Sequence, residues 1–321
     1  MSRFLRFGSI PVLALAVLLS TAGCKSKQDQ NAANANPAVA QDSSSDPAAA
    51  NLAPVSTDTG APAPAPSGAK QSAAPPEAAS SSAPAPEQSA DDSGYGEQPV
   101  ATAPQPPPAL PDYEQPAAPG DDYLWTPGYW GYASSGYYWV PGVWVEPPYA
   151  GGLWTPGYWG FYGARYMWYP GHWGSHIGWY GGINYGFGYV GFGYEGGYWN
   201  GGHFFYNRVY NNINGRVVHN MYSYRANVRV NPAGRSSYRG GPNGVVSRPR
   251  PQEGAAYREP TAPRMNTQAQ HEQNYGQVRG QYASENHGRP ATPAESRPLR
   301  AEPNVKPQQR SGGGGHSGGR R

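Results

Sequence analysis

One six-residue pattern, Trp-x-Pro-Gly-x-Trp, occurs four times in this chain, and it leaves few folds open. The copies are Trp125-Thr126-Pro127-Gly128-Tyr129-Trp130, Trp139-Val140-Pro141-Gly142-Val143-Trp144, Trp154-Thr155-Pro156-Gly157-Tyr158-Trp159 and Trp168-Tyr169-Pro170-Gly171-His172-Trp173. They start 14, 15 and 14 residues apart and use eight of the ten tryptophans. A proline inside each copy, with glycine after it, interrupts a helix, because proline lacks the N–H and clashes with the preceding carbonyl. The repeats therefore read as strands, and two geometries fit. In the first, Pro-Gly is a tight turn and the flanking indoles of one copy stack across it. In the second, Pro-Gly is a kink or bulge inside a longer strand, and the turns are Ala133-Ser134-Ser135-Gly136, residues 147–152 and Gly163-Ala164. Two-residue hairpins prefer primed turns, whereas Pro-Gly prefers type II, so turn chemistry favours the second. Either way the product is an antiparallel meander with an aromatic face.

Composition confines this meander to the middle of the chain. Gly 44 and Pro 36 make up about a quarter of 321 residues, close to low-complexity sequence, yet the aromatic content of 13% is foreign to disorder. The conflict disappears on division, since 34 of the 42 aromatic residues lie within 123–230. Residues 24–122 form an Ala/Pro/Ser-rich spacer with prolines in runs such as Pro106-Pro107-Pro108, which favour extended polyproline II geometry. Beyond its first residue this spacer has three basic residues against thirteen acidic ones, while residues 231–321 have fourteen basic against six acidic. The expected architecture is mostly β: a small antiparallel Trp/Tyr/Gly-rich module at 123–230, flanked by long disordered N- and C-terminal segments, with a short helix at 268–285.

The single cysteine sets the expected address. Residues 1–23 have a basic start (Arg3, Arg6), an apolar run from Ile10 to Leu19 and small residues before Cys24. That run is shorter than the ~20 residues of a membrane span and has the anatomy of a signal peptide. Ser20-Thr21-Ala22-Gly23-Cys24 resembles a bacterial lipobox, departing from it at Thr21, where leucine is usual. The resemblance implies lipidation of Cys24, and Lys25 in place of an aspartate implies the outer membrane, with the chain facing the periplasm or the exterior.

Motifs for chemistry are sparse. Gly186-Phe187-Gly188-Tyr189-Val190-Gly191 and Gly191-Phe192-Gly193-Tyr194-Glu195-Gly196 both satisfy G-x-G-x-x-G, but no strand–helix context or following acid accompanies them, and they read as Gly/aromatic repeat. The module has only two carboxylates, Glu146 and Glu195, in different subregions, and no aspartate, so neither a glycosidase pair nor a Ser/His/Asp triad is expected. His172 and His176 are four apart in strand-and-turn sequence, a separation of ~13 Å that does not suit one metal. No metal and no cofactor other than the lipid on Cys24 is expected.

The repeats at 125–173 resemble the bacterial YXWGXW, or WxxGxW, repeat proteins, typically lipoproteins or secreted envelope proteins. The run from Gly178 through Tyr189, Phe205-Tyr206-Asn207-Arg208, Gly240-Gly241-Pro242-Asn243-Gly244-Val245, Arg248-Pro249 and Asn286-His287-Gly288-Arg289-Pro290 share that likeness, which covers roughly 123–298. It implies no reaction, cofactor or catalytic residue. The resulting expectation is a non-enzymatic, outer-membrane-anchored envelope protein with a structural or adhesive role. Its candidate polysaccharide- or cell-wall-binding residues are Trp125, Trp130, Trp139, Trp144, Trp154, Trp159, Trp168 and Trp173. The alternative expectation is a protein that binds nucleic acid or anionic envelope polymers through its basic tail, without a specific nucleic-acid site.

Overall fold

A proline cannot donate to a β-ladder, so each copy of the pattern is split into two short strands. The computed structural model describes residues 46–55, 98–227, 234–302 and 304–309. Residues 1–23, expected as a signal peptide, together with Cys24 and the remainder of the spacer lie outside these residues. Before the repeats comes β1 (Ala101–Ala103); the repeats then supply β2 (Leu124–Thr126), β3 (Tyr129–Ala133), β4 (Gly136–Val140), β5 (Gly142–Val145), β6 (Leu153–Thr155), β7 (Tyr158–Tyr162), β8 (Arg165–Tyr169) and β9 (His172–Gly174).

These strands form two long hairpins, one for each pair of repeats. In the first, β3 pairs with β4 around Trp130 opposite Trp139, and β2 pairs with β5 around Trp125 opposite Trp144. Thr126 faces Val143 and Tyr129 faces Val140, so the two residues skipped on one strand oppose two on the other. The interruption is thus a symmetric kink without the extra residue of a bulge. The second hairpin repeats the arrangement, with Trp159 opposite Trp168 and Trp154 opposite Trp173. Both tips are two-residue turns, Ser134-Ser135 and Gly163-Ala164, the latter with both φ angles positive (54° and 63°), as a primed hairpin turn requires.

The kinks leave backbone groups outside the ladder, and residues from elsewhere satisfy them. Gly128 N donates to the Tyr113 hydroxyl (3.0 Å) and Gly142 N to the Pro293 carbonyl (3.3 Å). The carbonyl of Pro141 accepts from His271 Nε2 (2.9 Å), and that of Gly157 from the Tyr185 hydroxyl (2.6 Å). Tyr113 belongs to the spacer and His271 and Pro293 to the C-terminal segment.

The Gly/aromatic run that follows is mostly turns. β10 (Asn184–Gly186) and β11 (Tyr189–Val190) form a small hairpin through Phe187 and Gly188, both at positive φ (53° and 93°). Positive φ at Gly191 and Gly193 then prevents the regular alternating strand that the sequence suggests. β12 (Gly197–Asn200) and β13 (His203–Asn207) pair antiparallel, and β14 (Met221–Tyr222) adds to them in parallel.

The flanking segments do not end where the sequence reading placed their boundaries. β1 pairs with β8, so the spacer joins the fold from residue 98 onward, and residues 46–55 are packed as well. The C-terminal segment is built in over its described residues, 234–302 and 304–309: β15 (Tyr238–Arg239) runs parallel to β7, β16 (Thr261–Pro263) antiparallel to β9, and β17 (Ala294–Leu299) parallel to β5. The helix expected over 268–285 is realised as α2 (Asn266–Tyr275) and α3 (Ala283–Asn286), with α1 (Pro251–Ala256) preceding them. These segments order because the hairpins present open strand edges and uncapped backbone groups that they fill. A chain ending at residue 230 should consequently lose the cooperative thermal transition of the full protein; retention of that transition would show that the hairpins need no cover.

Candidate functional site

The eight repeat tryptophans meet across the hairpins. Their ring centroids lie 5.3 Å apart for Trp125–Trp144, 5.2 Å for Trp130–Trp139, 5.2 Å for Trp154–Trp173 and 5.5 Å for Trp159–Trp168. Each pair joins the first indole of one copy to the second indole of its neighbour, and tilted or edge-on contacts of this kind add ~0.5–1.5 kcal/mol beyond burial.

Glycine makes the arrangement possible. A Cβ on Gly128 would stand 2.3 Å from the Trp139 ring, and one on Gly142 2.5 Å from Trp125. In the second hairpin Gly157 lies against Trp168 (2.6 Å) and Gly171 against Trp154 (2.4 Å). The first indole of every copy therefore occupies the side-chain space of its partner's glycine. Several indole N–H groups are held from outside: Trp130 by Ala109 O (3.1 Å), Trp139 by Pro293 O (2.9 Å), Trp144 by Pro116 O (2.8 Å) and Trp173 by Gln268 Oε1 (2.9 Å). Trp159 donates to Trp130 O at 2.8 Å and so ties the hairpins together.

This geometry corrects the expectation of an aromatic binding face on the repeats. Trp125, Trp130, Trp139, Trp144, Trp154, Trp159, Trp168 and Trp173 are at most 7% exposed. They are core residues, because rings interlocked with glycine and capped by spacer and tail have no face left for a sugar. Trp139→Ala should cost roughly 3–5 kcal/mol of unfolding free energy in urea titration, as expected for truncating a buried aromatic.

The repeat family described as WXXGXW matches residues 120–145, in two copies. These are WXXGXW repeats. The matched residues are those of the first hairpin, so the two copies correspond to one interlocked pair of WXXGXW units, and the second hairpin repeats its sequence and geometry. No curated protein and no solved structure matches the chain.

The histidines are dispersed, His172 within the fourth repeat and the others outside the repeats. His176 contacts Glu259 (2.7 Å), His219 contacts Asp121 (2.7 Å), His203 lies 3.5 Å from Asp122, and His172 is buried. Among the described residues, no three His, Cys, Asp or Glu side chains stand close enough to share a metal ion.

One group of acids was not legible in the sequence. Glu146 pairs with Arg300 (3.8 Å), but Glu195 faces the Asp46 carboxyl in a cleft of about 410 Å³ lined also by Phe192, Gly193 and Arg250. Burial pushes Glu195 up to about 8, and the neighbouring Asp46 adds to that rise while Arg250 opposes it. Its Oε2 is buried and receives no N–H or O–H donor. Next to it Glu253 is fully buried, accepts from Arg250 N (2.8 Å) and Gly193 N (3.3 Å), and is raised by burial to about 7. Asp46 comes from the spacer and Glu253 from the C-terminal segment, so neither belonged to the module as the sequence delimited it.

Both carboxyls bind a proton more tightly in the folded state than in the unfolded one. Their stabilising contribution is complete below about pH 4.5 and is lost as pH rises through about 7–8. Thermal stability should therefore fall from pH 5 to pH 9, and Glu253→Gln should flatten that slope; an unchanged slope in the variant would show that Glu253 is ionised throughout.

Proposed function

We propose that the chain is a non-enzymatic structural protein of the bacterial cell envelope, held to the outer membrane by lipid on Cys24, with its WXXGXW hairpins as a load-carrying core. The observation that supports this reading most is the burial of every repeat tryptophan: the aromatic excess is spent on packing. Adhesion to a polysaccharide would then use half-buried rings beyond the repeats, such as Tyr198 and Phe205, stacked at 5.5 Å across β12 and β13. The rival reading, a basic tail that captures polyanions, is less well supported, because several tail arginines are already engaged. Arg235 meets Asp112 (3.1 Å), Arg279 meets Glu285 (3.2 Å), and Arg264 is paired with Glu272.

Among the described residues no helix is long and apolar enough to cross a membrane, so membrane attachment rests on Cys24 in this proposal. Fractionation of cells expressing Cys24→Ser should move the protein from the outer-membrane to the soluble fraction. Full retention in the membrane would contradict lipid anchoring.

A further inference from the structure

Residues 46–55 are an isolated piece of the spacer with a fitted place on the folded body. Pro47–Asn51 form a 3₁₀ turn that Asp46 caps by accepting from Ala48 N (2.9 Å). Asn51 is 1% exposed; its Nδ2 donates to the carbonyls of Tyr194 and Gly197, both at 2.8 Å, and its own carbonyl accepts from Ile177 N at 2.8 Å. Ala48 and Ala53 are buried on either side, and Leu52 packs over Gly193, where a side chain would meet it at 3.2 Å. One asparagine thus reads three backbone groups, as in recognition of a short peptide by a groove. Residues 56–97 separate the segment from the next described part of the chain.

The geometry points to a peptide-binding groove between Ile177 and Phe192–Gly197, filled by the chain's own Asp46–Val55 as a releasable clasp, with the carboxyl pair Asp46–Glu195 as its proton-dependent catch. Asp46 and Glu195 line the same cleft, and loss of the proton that burial holds on Glu195 leaves two like charges within it. The other groups facing the catch do not replace that proton. Arg250 stands over Phe192 at 4.0 Å and favours ionisation, Glu253 is held by backbone N–H donors, and burial keeps Tyr180, Tyr210 and Tyr222 neutral beyond the range in which the catch titrates.

Hydrogen exchange of the full-length chain tests the clasp without reference to the anchor. The Ile177 amide should lose about tenfold in protection factor between pH 6 and pH 9 in the wild type, and keep it in Glu195→Gln, whose amide donates to Asp46 at either pH. Asn51→Ala should lose this protection already at pH 6 while the β3–β4 amides stay protected, and a free peptide of residues 46–55 should restore it. Unchanged Ile177 protection in Asn51→Ala, or loss of β3–β4 protection in that variant, would overturn the groove. A pH response in Glu195→Gln equal to that of the wild type would overturn the catch.

Discussion

The fold depends on one contact made four times, an indole seated where a neighbouring glycine has no side chain. Because Trp125 covers Gly142 while Trp139 covers Gly128, neither copy can place its first tryptophan without the other. The repeat is therefore complete only as a pair. The spacing of 14 within each pair is then a matter of register: the second indole of one copy lies opposite the first of the next, with a two-residue turn at the tip. The spacing of 15 separates the hairpins, where no such register applies.

Proline gives the motif its second property. By removing a donor from each strand at the same level, it opens the ladder and leaves backbone groups that must be satisfied from outside. Tyr113, His271 and Pro293 do this, and strands from both flanking segments cover the hairpin edges. A core of rings and glycine, with few aliphatic side chains, is in this way enclosed by sequence that looks nearly featureless alone.

That enclosure explains what could be read from sequence. The hairpins were legible because their turn residues and prolines act locally: Gly163-Ala164 and Ser134-Ser135 are tips, and Pro127 and Pro141 are kinks. Pro-Gly is a kink within the strand, as turn chemistry favours, and the symmetric break needs no bulge residue. The function of the tryptophans was not legible, since the same rings suit a sugar platform or a core until their glycine partners are known. The roles of Asp46 and Glu253 were not legible for a different reason. Their placement follows from long-range docking of Pro/Ala-rich and Arg/Gln-rich segments whose composition argues against a core of their own. Asn51, buried by three backbone contacts, carries no local signal at all.

The central claim is a steric coupling between one glycine and one indole, and a double-mutant cycle measures it directly. Gly128→Ala alone should destabilise the chain by about 2–3 kcal/mol or more, since an added methyl would meet the Trp139 ring at 2.3 Å. In the background of Trp139→Leu, with the ring removed, the same alanine should cost at least about 1 kcal/mol less, the remainder reflecting its 2.9 Å approach to the Gly142 backbone nitrogen. Additive effects of the two substitutions in urea unfolding would contradict the interlock and reduce the glycine of the motif to a backbone requirement.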